Sequence, residues 1–146
     1  MDSIDRKIIT ALAGQARMSL KELAATVGMA SPSVAERLKR LEERGVISGY
    51  TVIATPARIG YPFQAIVRVN PLPGAMNEVE RLLQDTPQIV ECDRVTGEDC
   101  FYARLFCRSM EDLDVILGPF HDVARTSTAI VKGQSVERRL PPLFDT

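Results

Sequence analysis

Two hydrophobic rhythms divide the chain. From Ile4 to Leu41 apolar residues recur every three or four positions, and beyond about residue 60 short alternating stretches are separated by two more helical stripes. Ile4, Ile8, Ile9 and Leu12 make one stripe that stops before Gly14. Leu20, Leu23, Ala24 and Val27 make a second that stops at Gly28, and Val34, Leu38 and Leu41 share one side of a third. Ser19 with Glu22 three residues on forms a reciprocal cap that opens the second helix. Ser31 followed by Pro32 predicts a cap and a first-turn proline for the third. Three helices are expected, the last two joined at Gly28.

The small Ala24, the Gly28 turn and the apolar Val34 have the spacing that two helices need to cross closely, as in the helix-turn-helix that reads duplex DNA. Such a motif presents the start and polar side of its second helix to the major groove. The candidate DNA face is therefore Ser31, Ser33, Glu36, Lys39 and Arg40, with Glu43 beyond and Arg37 and Arg44 on a flank. Arg37 and Arg40 suit guanine edges or phosphates, and Glu36 suits the cytosine amino group. After Gly45 the β-rich run VISGYTVI is expected to form a strand or small wing. The Pro/Gly-punctuated ATPARIGYP then reads as a connector, which divides the chain into domains 1–60 and 61–146.

In the second domain FQAIVRVN, IVECDRV, CFYARLFC and TSTAIVK read as strands. MNEVERLL reads as a helix with Met76, Val79, Leu82 and Leu83 inward, and SMEDLDVIL as one opened by Ser109 and striped by Met110, Leu113, Ile116 and Leu117. The order βαββαβ gives an α+β class: a winged helix-turn-helix followed by a ferredoxin-like sandwich with both helices on one side of the sheet. In CFYARLFC one set, Phe101, Ala103, Leu105 and Cys107, suits the helix side, and the other, Cys100, Tyr102, Arg104 and Phe106, is left to cover a bare face. Large apolar groups on both sides call for a second cover, and a second copy of the chain is the simplest one.

Composition narrows the function classes. In 146 residues, 45% apolar and 25% charged side chains describe an ordinary globular protein. The net charge of −1 conceals an asymmetry: residues 1–60 hold nine Lys/Arg against six Asp/Glu, a net +3, and the rest hold nine against thirteen, a net −4. Only the front half suits phosphate. Cys92, Cys100 and Cys107 have no C-x-x-C spacing and one histidine, His121, for company, so free thiols are expected and a metal site or disulfide is not. With no Ser/His/Asp set and no phosphate-cradling glycine loop, catalysis and cofactors are not expected either. No apolar run reaches a membrane span and MDSIDRK lacks an export layout, so the cytoplasm is the expected compartment and no membrane partner is expected.

DSIDRKIITAL, SLKELAATVGM, SVAERLKRLEERGVISGY and VTGEDCFYARL together resemble the Lrp/AsnC family of prokaryotic transcription regulators over nearly the whole chain. The resemblance implies a sequence-specific regulator whose βαββαβ domain senses an amino acid or related metabolite, dimerises and often assembles further, commonly to octamers. The chemistry of Thr96-Gly97-Glu98-Asp99 fits such an effector: a glycine for close approach, amides for a carboxylate and two carboxylates for an ammonium. It equally suits an ordinary acidic hairpin turn. Cys100 adjoins this turn, where many members carry an aspartate, and Thr126, Ser127 and Thr128 of the last strand could add hydroxyls from the same chain or from a partner. Two other readings share this architecture: an architectural DNA-binding protein without an effector, and a porphyrin-modifying decarboxylase, which one histidine serves poorly.

Overall fold

Asp2 opens the first helix, α1 (Ser3–Gly14), by accepting the amides of Ile4 and Asp5, both at 2.9 Å, while the Asp5 carboxylate takes the Asp2 amide at 3.1 Å. Helix α2 (Leu20–Val27) is opened by the expected reciprocal cap: the Ser19 amide donates to Glu22 at 2.7 Å and the Glu22 amide to Ser19 Oγ at 3.2 Å. Gly28 closes it at φ 72°, a left-handed conformation that glycine adopts without strain. Helix α3 (Ser31–Glu43) departs from expectation at its start. Its N-cap is Ala30, without a side-chain cap, and Ser31 lies inside the first turn beside Pro32. Proline lacks the amide that a cap would have served, so the helix begins without the serine hydroxyl.

The computed structural model describes residues 1–98 and 100–144. It divides into two compact units, residues 1–52 with those from Val136 onward, and Ile53–Ser135. By contacts the units meet at Val52/Ile53, within the stretch ahead of the residue-60 boundary expected from the connector, and the chain from Val136 is grouped with the first unit. In the first unit Ile8, Leu23, Ala24, Val27, Val34 and Leu41 are buried together, with Ile4, Ile9, Leu12 and Leu38 packed against them. Leu20 is exposed, because it sits at the first position of its helix beyond the reach of this core. Leu140, Pro141, Pro142 and Leu143 stand with Arg6, Thr10 and Ala13 of α1 around a cavity of about 440 Å³.

The expected wing does not form. Residues 46–53 make no strand: the amides of Val46 and Ile47 both turn back to the Leu41 carbonyl, at 2.9 and 3.1 Å, and Val52 and Ile53 are almost fully exposed. β-rich residues become a strand only when a second strand pairs with them, and no described segment of the chain does so here.

The second unit has the expected order: β1 (Phe63–Pro71), α4 (Met76–Asp85), β2 (Ile89–Arg94), β3 (Phe101–Cys107), α5 (Met110–Leu117) and β4 (Ala124–Ile130). The sheet is antiparallel in the order β2-β3-β1-β4. Its register sets out rows of side chains. Arg94, Phe101, Val69 and Thr126 face one another on the helix side, and Asp93, Tyr102, Arg68 and Ser127 do so on the other. A register shift between Ile89 and Glu91 bulges β2. Phe101, Ala103, Leu105 and Cys107 are buried as expected, together with Ala65, Val67, Val69, Val79, Leu83 and Phe120.

Met110, like Leu20, occupies a first helical position after a capping serine and is exposed. Cys100 also differs from expectation, since it precedes β3 and packs, half-buried, against the helix-side core. The bare face is more polar than CFYARLFC suggested. Tyr102, Phe106 and Ile66 share it with Arg68, which donates to Ser127 Oγ at 2.9 Å, and with Arg104, paired to Glu91 at 3.5 Å.

Candidate functional site

Helix α3 turns Val34 and Leu41 into the core, and its period leaves Ser33, Glu36, Lys39 and Arg40 exposed on the far side. Four of the six residues expected to face DNA therefore share an open surface, and Ser31 is half-buried at its start. Arg37 does not join them. Its Nη1 donates to Asp2 Oδ2 at 2.6 Å and to Asp5 Oδ1 at 2.9 Å, locking α3 to the capped start of α1. The exchange is mutual: the two carboxylates raise the guanidinium pKa, while the Asp5 amide, first, and Arg37, second, lower that of Asp2. Arg37 is thereby a positioning group for the reading helix. Asp2 and Asp5 were not anticipated as its partners, although their three-residue spacing at a helix start is a legible signal.

On the open face Arg40 Nη2 donates to Glu36 Oε1 at 2.6 Å, and Lys39 Nζ lies 3.6 Å from Glu43 Oε1. Tyr50, just past the helix, donates its phenol to Glu42 at 2.7 Å. Burial first, and that carboxylate second, push the phenol pKa up to about 12. Arg40→Ala is expected to weaken binding to a specific duplex by about 1–3 kcal/mol if Arg40 reads a base, and to flatten the salt dependence on all sequences alike if it meets a phosphate. Gel-shift titrations at two salt concentrations separate these outcomes, and unchanged affinity at both would remove Arg40 from the interface.

The residues expected to hold an effector fall in two places. Thr96, Gly97 and Glu98 are exposed in the turn between β2 and β3, which the Val95 amide closes by donating to the Cys100 carbonyl at 2.9 Å. Gly97 has φ 121°, where any side chain would be strained, and open space lies around it. Cys100 is half-buried beside them, and Asp99 lies outside the described residues. Thr126, Ser127 and Thr128 are not in this neighbourhood within one chain. The order β2-β3-β1-β4 puts them on the opposite edge strand, with β3 and β1 between. They also alternate: Ser127 faces the bare side with Arg68, and Thr126 and Thr128 pair with the helix-side Val69 and Val67.

The sequence reading missed a groove of about 290 Å³ between α4 and β2, floored by Leu83 and Phe101 and edged by Glu80 and Arg94. No single motif marks it, because it arises only when α4 packs on the edge strand. His121 is exposed at the end of a short 3-10 turn, Gly118–Phe120.

A helix-turn-helix with an open polar reading face, followed by a four-stranded α+β domain, defines a DNA-binding transcription regulator with a separate ligand-binding domain. Residues 1–42 match the AsnC-type helix-turn-helix domain and residues 64–141 the Lrp/AsnC ligand binding domain. The chain belongs to the Lrp/AsnC family. It is 33% identical to the HTH-type transcriptional regulator FL11 of Pyrococcus furiosus over 134 residues, 90% of this chain and 89% of that one. The solved structure of LrpC from Bacillus subtilis superposes with a TM-score of 0.90 at 27% identity, covering 94% of this chain and 99% of that one. A feast or famine regulatory protein from M. tuberculosis, solved in complex with L-methionine, gives a TM-score of 0.88 at 29% identity, covering 96% and 97%. No described helix is long and apolar enough to cross a membrane.

Proposed function

We propose that this regulator works in the cytoplasm as a homo-oligomer, at least a dimer, whose assembly and DNA affinity respond to an amino acid or related small metabolite bound between subunits. The observation that carries the reading is the Gly97 turn. Among the described residues the Val95 amide closes it on the Cys100 carbonyl, open space lies around Gly97, and its chemistry suits amides to a carboxylate and Glu98 to an ammonium. The match to a ligand-binding domain and the L-methionine complex of a similar structure support the chemistry. Thr126–Thr128 occupy the other edge of the same sheet, so a second copy is what can bring both parts to one ligand, and the aromatic groups of the bare sheet face favour such a copy. Occupancy of a site shared by subunits changes assembly and, by linkage, the affinity for double-stranded DNA. Two-fold related reading helices would then address half-sites about 34–36 Å apart, or a multiple of that.

A thermal-shift series over the twenty amino acids, beginning with L-methionine, tests this. An effector at a hundred times its dissociation constant stabilises the fold by about 2.7 kcal/mol. Gly97→Val is expected to abolish that stabilisation while leaving DNA binding by the unliganded protein intact. A chain that no amino acid stabilises rules out an amino-acid effector, and a Gly97→Val variant that responds like the parent moves the site elsewhere.

A further inference from the structure

Every charged side chain of α3 is already engaged. Its three cations each meet a carboxylate: Arg37 with Asp2 and Asp5, Lys39 with Glu43, and Arg40 with Glu36. Of its three acids, Glu36 and Glu43 hold those cations and Glu42 accepts the Tyr50 phenol. The helix that faces DNA therefore carries no net charge, in a chain whose net charge is −1. A phosphate can recruit Arg40 only by drawing it from Glu36, and the carboxylate left behind then repels the same backbone. The two pairs on the open face are unequal. Glu36 precedes Arg40 by four residues, the orientation that agrees with the helix dipole, and the bond is 2.6 Å; Lys39 precedes Glu43, the less favourable order, and the separation is 3.6 Å. Both pairs are largely exposed, and pairs of that kind exchange readily.

We infer that Glu36, seconded by Glu43, is a specificity-determining residue. It holds Arg40 away from phosphates on arbitrary sequence and releases it where the matching base edges replace the lost partner. Attraction to the sugar-phosphate backbone is the part of binding that ignores sequence, so suppressing it widens the gap between specific and non-specific sites. The inference rests on α3 being the reading helix. It assigns Glu36 a role distinct from accepting a hydrogen bond from cytosine.

Glu36→Gln keeps the shape and a hydrogen-bonding group while removing the charge. The full-length variant and its parent are titrated by fluorescence anisotropy with two probes, a mixed-sequence duplex and a duplex selected by the parent from a randomised pool, between about 50 and 200 mM salt. The expected result is tighter binding of the mixed duplex and a log-log salt slope steeper by about 0.9, so that affinity falls about 3.5-fold more across that range than in the parent. Glu36→Gln with Glu43→Gln is expected to steepen it further. Adding Arg40→Ala to Glu36→Gln is expected to cancel the gain, which identifies Arg40 as the cation set free. An unchanged slope on the mixed duplex, with Arg40→Ala alone still weakening the selected one, overturns the inference and leaves α3 as the reader. Weaker binding of the selected duplex by Glu36→Gln, with the mixed one unaffected, also overturns it, in favour of a base contact. If Arg40→Ala changes neither duplex, Arg40 lies outside the interface and the inference fails, while α3 as the reader fails only if Lys39→Ala combined with Arg40→Ala also leaves both duplexes unchanged.

Discussion

Phe120→Ala is expected to destabilise the second unit by about 3–5 kcal/mol, the range found for deleting a buried aromatic side chain. Phe120 is the largest of the fully buried side chains and ends the short turn that follows α5. Its carbonyl also accepts the Val123 amide at 3.1 Å, which starts the chain into β4. Truncating the ring leaves a void beneath the helices that a turn pinned at both ends cannot close. Since a whole domain is stable by only about 5–15 kcal/mol, this loss removes a large part of the margin. Hydrogen exchange resolved by peptide should show protection falling across β1, β3 and α5 while α1–α3 keep theirs. A loss below about 1 kcal/mol would mean that the core refills the space.

Leu41→Ala is expected to cost the first unit about 2–5 kcal/mol. Leu41 is 2% exposed and is, among the described residues, one of six buried apolar side chains at the centre of that core, so a single truncation removes a sizeable share of it. Small units bury a small fraction of their surface and have little reserve. Loss of all duplex binding, with protection retained in β1 and β3, is the expected outcome, read by gel shift and hydrogen exchange on one preparation. Duplex affinity equal to the parent's would show that α3 holds its position without this anchor.

What the sequence disclosed was mostly local. The α2 cap is two residues reciprocating over one turn, and Gly28 at φ 72° is a property of one backbone position, so both were legible from SLKELAATVG. From Phe101 to Cys107 the alternation likewise showed which side chains meet the helices, and it failed only at Cys100, which lies before the strand begins. The failures were of pairing. VISGYTVI has the side chains of a strand, but strand formation depends on a second segment that no local pattern supplies. Arg37 was visible as a cation on the flank of α3, whereas its capture by Asp2 and Asp5, more than thirty residues earlier, depends on how α1 packs. The residues expected to meet an effector show the same limit: the turn after β2 and the strand β4 each form where the local pattern put them, yet they lie at opposite edges because the sheet runs β2-β3-β1-β4.

The bulge in β2 has a consequence for how the protein behaves when crowded. An edge strand offers a row of unsatisfied amides and carbonyls, and a flat, apolar edge of that kind templates the addition of any extended peptide, the first step toward insoluble β-aggregates. In β2 the extra residue, the exposed Val90, breaks the regular spacing of those groups, and Glu91, Asp93 and Arg94 along the remainder put charge in the path of an incoming strand. The irregularity thus serves as a guard on the open side of the sheet, which can remain uncovered in a concentrated solution without growing sideways.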